Sequence, residues 1–303
     1  FVGFSLKEYV LKERTLGRKL WGIVTPMLIY LCIQIAVIVI IQGGITAYGI
    51  FHGMSSSKLQ QYLTEITNSY AMLLTGISAL GTIPIMGLMM KLDIDADKRT
   101  GDFKRYESVK KWKYLLILPF GAFCMWWASM LVSILQMFMP QFMIDSYSST
   151  QTAINSSSFI SQLVTAGFIA PIVEEMIFRG LIYKRLKVLS NVTIAAILSA
   201  VLFGVFHGNW IQAPYTIIIG LLAVWLYEKY KSIVAPILFH MGANITSVLV
   251  SAMSEAAATG SETTETISNS ELIYGLFTVM IVFALASLVI GVIINKLVKP
   301  KEV

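Results

Sequence analysis

An all-α, polytopic membrane protein with about eight transmembrane helices and both termini in the cytoplasm is the fold class that the sequence predicts. Three observations carry it. Of the 303 residues, 56% are hydrophobic and only 13% are charged, against about 25% charged in soluble domains, and the mean hydropathy is +0.73. The apolar residues fall into separate runs, most of them near the roughly 20 residues a helix needs to cross a hydrocarbon layer of about 30 Å. The connections between runs alternate between lysine- and arginine-rich segments and charge-poor ones, the asymmetry that orients spans with their basic ends in the cytoplasm. Barrel strands would alternate apolar and polar residues, and these runs do not.

The elements follow in order. Lys7, Lys12, Arg14, Arg18 and Lys19 precede a first span over 21–41 and place the N-terminus in the cytoplasm. No signal-peptide core precedes that span, and because the chain opens on Phe1, its natural start is expected upstream. In 55–70, Leu59, Leu63 and Ile66 at helical spacing fit an interfacial helix on the outer face as well as a plain loop. Span two covers 71–90. The segment 91–113 then carries eight basic and five acidic residues and belongs in the cytoplasm.

Span three covers 114–139, and 140–158, with Asp145 as its single charge, reads as an outer loop. Span four, 159–182, ends against Lys184, Arg185 and Lys187. Spans five (192–207) and six (213–227) are short, with Pro214 near their junction, so the chain is expected to turn within or near the membrane beside a site. Span seven, 232–253, leads to an outer loop at 254–271 with four glutamates and no lysine or arginine, and span eight, 272–294, returns to Lys296, Lys299 and Lys301. The organisation is thus a three-span region at 1–158, a core at 159–253 and a closing loop and span at 254–303.

The net charge of +6 fits loop cations facing an anionic membrane surface. Nucleic acid is not expected as a partner, because no basic patch is interleaved with stacking aromatics. Cys32 and Cys124 both lie in apolar runs and read as small hydrophobes, not as a disulfide or a metal site.

Candidate chemistry begins at Glu174-Glu175-Met176-Ile177-Phe178-Arg179, three ionisable groups in an otherwise apolar span. Such groups cost roughly 2.5–3.5 kcal/mol each at the bilayer centre on insertion scales, so they signal function unless they sit at the interface. Adjacent helical residues are about 100° apart, whereas residues four apart share a face. Arg179 is therefore expected to pair with Glu175, leaving Glu174 to face a cavity as a general base. Ten residues, or roughly 15 Å, separate Glu174 from Lys184. His240 lies nine residues after Lys231, about 13 Å, and so reaches the level of Glu174. His207, about 22 Å along its helix from Val192, needs tilt or a deeper cavity to join them.

His240 and Asn244 share a helical face. They can donate hydrogen bonds to the oxygen that becomes negative when water attacks a carbonyl, or tie helices together. Phe203 reads as packing. Pro171 and Pro236, three and four residues before Glu174 and His240, are expected to kink their helices and open a pocket. Two glutamates and two histidines can also hold zinc, although no His-Glu-x-x-His helix is present. The same ionisable groups fit a proton- or cation-coupled transporter, or a non-catalytic peptide-binding immunity protein.

Glu174-Glu175-Met176-Ile177-Phe178-Arg179, Phe203-Gly204-Val205-Phe206-His207 and His240-Met241-Gly242-Ala243-Asn244 together resemble the CPBP family of intramembrane proteases. That group includes the CAAX prenyl endopeptidases and bacterial bacteriocin-processing and immunity-associated proteins. The pattern is Glu-Glu-x-x-x-Arg, then Phe-x-x-x-His, then His-x-x-x-Asn or Asp, and the resemblance covers 159–253. It implies hydrolysis of a peptide bond by water activated by Glu174 and His207, with Glu175 and Arg179 orienting the site and His240 and Asn244 forming the oxyanion site. It implies no cofactor in the glutamate-dependent form preferred here. In the zinc-dependent form, Glu174, His207 and His240 would be the ligands. The implied partners are membrane lipids and a small membrane-associated peptide or protein tail, admitted laterally or from the cytoplasmic side. A bacterial cytoplasmic membrane is the expected location.

Overall fold

The computed structural model describes residues 16–260 and 269–302. The side chains of the basic N-terminal tail and of the glutamates in the last outer loop lie outside the described residues. Among the described residues every regular element is helical, apart from one isolated bridge between Tyr106 and Glu302. The helices are α1 (Leu16–Phe51), α2 (Ser56–Ser69), α3 (Ala71–Thr100), α4 (Ile117–Gln136, entered through a 3-10 turn at Lys111–Leu116) and α5 (Gln141–Asn155). They continue with α6 (Phe159–Leu189), α7 (Val192–Phe206), α8 (Gln212–Tyr230), α9 (Val234–Gly260) and α10 (Asn269–Leu297).

Six of these, α1, α3, α4 with its entry turn, α6, α9 and α10, are long and apolar enough to cross a membrane. The eight spans expected from sequence include two that fall short of this measure. Helix α7 has 15 residues, and α8 carries Gln212 in its first turn and Glu228 and Lys229 in its last. Large apolar side chains face outward on α1 and α10, for example Ile35, Val39 and Ile40, and Val282, Leu285 and Leu288. Such a surface belongs against lipid.

The segment 55–70 forms α2, capped by Ser55 accepting from the Lys58 amide. Three connections differ from their expected form. The segment 140–158, read as a loop for want of hydropathy and charge, holds α5, which starts at Pro140 and carries a Gln141–Asp145 side-chain bond one turn apart. The segment 91–113, expected in the cytoplasm, is helical as far as Thr100, where Gly101 takes a left-handed φ of 76° and ends α3. The connection expected over 254–271 is shorter, since α9 runs on to Gly260 and α10 begins at Asn269.

Two apolar clusters hold the bundle together. One gathers Tyr30, Met86, Val173, Ile177, Phe178, Leu181 and Phe203 from α1, α3, α6 and α7. The other gathers Ile117, Phe120, Leu226, Phe239 and Ile294 from α4, α8, α9 and α10. Helices α4 and α9 meet along their length because glycines lie between them. A Cβ on Gly121 would overlap the Phe239 carbonyl oxygen, and one on Gly242 the Leu118 carbonyl oxygen. Close backbone approach at small residues is how helices pack where lipid removes the hydrophobic drive. Gly121→Ala should therefore push α9, and with it His240, off α4. We expect a loss near the upper end of about 1–3 kcal/mol, read as a lower melting temperature in detergent; an unchanged melt would contradict this packing.

The basic helix ends are tied together at one end of the bundle. Arg185 pairs with Asp93 at 2.9 Å, Lys187 with Glu228 at 2.6 Å, and Lys104 with Glu302 at 3.1 Å. Tyr230 donates to the Lys113 carbonyl and Lys229 to Asn295. Burial raises the Glu228 pKa, but hydrogen bonds from Lys187, Lys231 and Tyr183 outweigh it, so the carboxyl lies below its ordinary 4.5. A lowered folded-state pKa stabilises above the ordinary value and loses that contribution as pH falls through the lowered one. Glu228→Gln should thus lower the melting temperature at pH 7, with the difference fading below pH 4.5; a constant difference across that range would contradict the linkage.

Candidate active site

Helix α6 is not uniform. It opens into π-helical turns at Leu163–Ile169 and Met176–Tyr183, leaving a six-residue α-helical piece, Ala170–Glu175, that ends on the two glutamates. The first π stretch closes with a bond from the Ala170 amide to the Thr165 carbonyl. The next in that register would run from residue 171 to the Ala166 carbonyl, and Pro171 has no N–H to give. Asn244 fills the position: its Nδ2 donates to the Ala166 oxygen at 2.8 Å. Asn244 thus ties α9 to α6 where the proline interrupts the backbone ladder, and one amide hydrogen and its Oδ1 stay available at the cavity it lines.

The two glutamates have different surroundings. Glu175 is 1% exposed, and its Oε1 accepts from Arg179 Nη1 at 2.9 Å and meets His240 Nδ1 at 2.9 Å. Glu174 faces a cavity of about 450 Å³ whose wall also includes Phe203, His207, His240 and Asn244. The Glu174 Oε2 lies 3.7 Å from His240 Nε2. His240 therefore stands between the carboxylates, one at each ring nitrogen. The structure brings all six sequence-predicted residues to one place: Glu174, His207, His240 and Asn244 on the cavity, with Glu175 and Arg179 behind His240.

Arg179, 0% exposed, is held on three sides. It pairs with Glu175, donates from Nη2 to the Gly220 carbonyl at 3.0 Å, and lies over the Phe203 ring at 4.6 Å, a cation–π contact that strengthens where water is excluded. Phe203 does more than pack. Its ring meets His207 edge-on at 4.7 Å and His240 at 5.6 Å, setting both imidazoles around one aromatic plane. The sequence signal was available, because Phe203 stands four residues before His207 and shares its face.

His207 follows the last residue of α7, and Gly208, at φ 64°, turns the chain away. The His207 Nδ1 lies 2.9 Å from the Phe203 carbonyl. A carbonyl only accepts, so Nδ1 carries the hydrogen, and the neutral ring keeps a lone pair on Nε2. The expected difficulty of His207 reaching the others resolves because the cavity extends from Glu174 to the end of α7. Among the described residues, no group of three His, Cys, Asp or Glu side chains is gathered closely enough to hold a metal ion.

A family model described as type II CAAX prenyl endopeptidase Rce1-like matches residues 156–246. The chain is also similar to "Putative membrane peptidase YdiL" of Bacillus subtilis (strain 168), 30% identical over 88 residues, which are 29% of this chain and 36% of the relative. The chain thus spans about a third of the length of the curated relative it matches. No solved structure matches it significantly. The family match spans the Glu174-Glu175 motif, the Phe203–His207 pair and the His240–Asn244 pair, so the segment that carries the site is the one similar to the CAAX prenyl endopeptidases.

Proposed function

We propose that the protein is an intramembrane endopeptidase that hydrolyses a peptide bond in a small membrane-associated peptide or protein tail without a metal ion. The carrying observation is the division of labour between adjacent glutamates: Glu175 is buried and paired through Oε1 with Arg179 and His240, while Glu174 fronts the cavity. A water in that cavity gives its proton to Glu174 as it attacks the scissile carbonyl carbon, and the His207 Nε2 lone pair accepts its other hydrogen as a hydrogen bond. The developing oxyanion faces the second Asn244 amide hydrogen and His240. With Nδ1 against Glu175, His240 donates to that oxygen from Nε2 in its doubly protonated form. Collapse of the tetrahedral intermediate returns the Glu174 proton to the leaving amine, so the carboxylate is regenerated and one water is consumed.

Comparative mass analysis of membrane-associated peptides from cells expressing each variant tests this reading. His207→Ala should remove the truncated products, and wild-type membrane vesicles should form them fully in the presence of a chelator after metal analysis finds none bound. Full activity of His207→Ala would contradict the assignment. Activity lost to the chelator and restored by zinc would contradict the metal-free mechanism.

A further inference from the structure

We propose that the cavity is entered from the extracytoplasmic side and takes an extended, uncharged or cationic stretch of peptide, which deepens the protease reading and rests on it. The argument begins with direction. The cavity wall is built from the first turns of α3 and α8, α4 from Met125 onward, the end of α7, helix α5, the first half of α6 and α9 from His240 to Ser254. From the level of Glu174 and His240 it extends toward the helix ends away from the lysine- and arginine-rich connections. Between the glutamates and the basic end the bundle is closed: Ile177, Phe178, Leu181, Ile182 and Tyr183 are each 0% exposed, and the Arg185–Asp93 and Lys187–Glu228 pairs lie beyond them. A substrate arriving from that end would have to unpack the core.

The charge asymmetry assigns the two sides. Segments 42–70, 137–158, 207–212 and 254–271 contain one lysine, Lys58, and no arginine, whereas 91–113 alone contains eight basic residues. Basic connections stay in the cytoplasm, so the mouth faces outward, with α5 across it. Asn155 of α5 meets Ser251 of α9 at 3.2 Å across that mouth.

The lining sets the chemistry of the occupant. Ser133, Gln136, Gln151, Asn155, Ser247 and Ser251 supply neutral hydrogen-bonding groups, as a peptide backbone requires. Glu174 is the one carboxylate, and no lysine or arginine is present among the described lining residues. A carboxylate entering this site would be desolvated next to Glu174 with no lysine or arginine to pair with, whereas a neutral or cationic stretch meets no repulsion from Glu174. Along α9 the wall runs from His240 to Ser254, about 21 Å at the helical rise, which accommodates about six residues of extended chain. A cut within a chain fits this shape better than one set by a free C-terminal carboxylate.

Cysteine accessibility tests both halves. Gln151→Cys, Ser251→Cys and, as the basic-side reference, Lys110→Cys are each made in a Cys32→Ser background. Right-side-out and inside-out membrane vesicles are then treated with the membrane-impermeant trimethylammonium-ethyl and sulfonatoethyl methanethiosulfonates. The cysteines at 151 and 251 should react in right-side-out vesicles and that at 110 in inside-out vesicles; the opposite pattern overturns the proposed side. Ser247→Cys, deeper in the cavity, should react about tenfold faster with the cationic reagent than with the anionic one, after correction for their rates with free thiol. Glu174→Gln should shrink that ratio, and equal rates before that change overturn the charge preference. Modification at 251 should also stop formation of the peptides that Glu174→Gln cells fail to produce, and undiminished formation overturns the path. If Glu174→Gln leaves the peptides unchanged, the protease reading and the peptide occupant fall together, while the labelling still decides the side of the mouth.

Discussion

Glu174→Gln is expected to lower peptide hydrolysis by about 10³-fold, within the range of about 10²–10⁴ that a positioned acid–base group contributes, while the protein stays folded. The two halves of this expectation come from the same geometry. Glu174 lines the cavity, and its Oε2 is 3.7 Å from His240, beyond hydrogen-bond reach. A neutral amide of the same shape therefore removes the proton acceptor without breaking a close pair. Glu175→Gln should behave in the opposite way, because Glu175 is 1% exposed and bound at Oε1 by Arg179 and His240. Its loss should lower the melting temperature as well as the activity. Product formation and thermal melts on the two variants, side by side, check the allocation; it fails if Glu174→Gln unfolds the protein or leaves hydrolysis intact.

Arg179→Ala is expected to cost about 3–5 kcal/mol, the penalty for leaving one member of a buried ion pair without its partner. Arg179 is 0% exposed, and three contacts go at once: the 2.9 Å pair with Glu175, the 3.0 Å bond to the Gly220 carbonyl, and the face of Phe203 at 4.6 Å. The Glu175 charge is the costly remainder. Adding Glu175→Gln to Arg179→Ala should therefore recover part of the loss, and the double-mutant cycle should show coupling well outside the few tenths of a kcal/mol typical of independent sites. Arg179→Lys should recover less than its charge suggests, since an ammonium reproduces neither the fork that reaches Glu175 and Gly220 together nor the flat stack on Phe203. Simple additivity of Arg179→Ala and Glu175→Gln would show that the pair does not support the site.

Much of the site could be read from spacing. The Glu175–Arg179 contact follows from a four-residue separation on a helix, and counting the helical rise from the basic ends brought His240 to the level of Glu174, where the two now lie 3.7 Å apart. What spacing missed depends on other chains of atoms. The π-helical turns of α6 change the register by one residue, and hydropathy does not register such a change. Pro171 was a visible clue to a kink, but its consequence, a bare Ala166 carbonyl met by Asn244, needed the neighbouring helix. The approach of α4 to α9 rests on Gly121 and Gly242, two glycines 121 residues apart in sequence. Helix α5 escaped notice because its composition is that of a neutral loop, while its role is to lie over the cavity through Tyr147, Gln151 and Asn155.

Hydrolysis by Glu174 within the membrane is tested most directly by a mass comparison of small membrane-associated peptides from cells expressing the wild type and Glu174→Gln at matched levels. At least one truncated peptide should appear only with the wild type, together with its full-length form accumulating with Glu174→Gln. Identical peptide profiles from the two, with the variant normally inserted in the membrane, would contradict it and favour a transport or peptide-binding role for the same cavity.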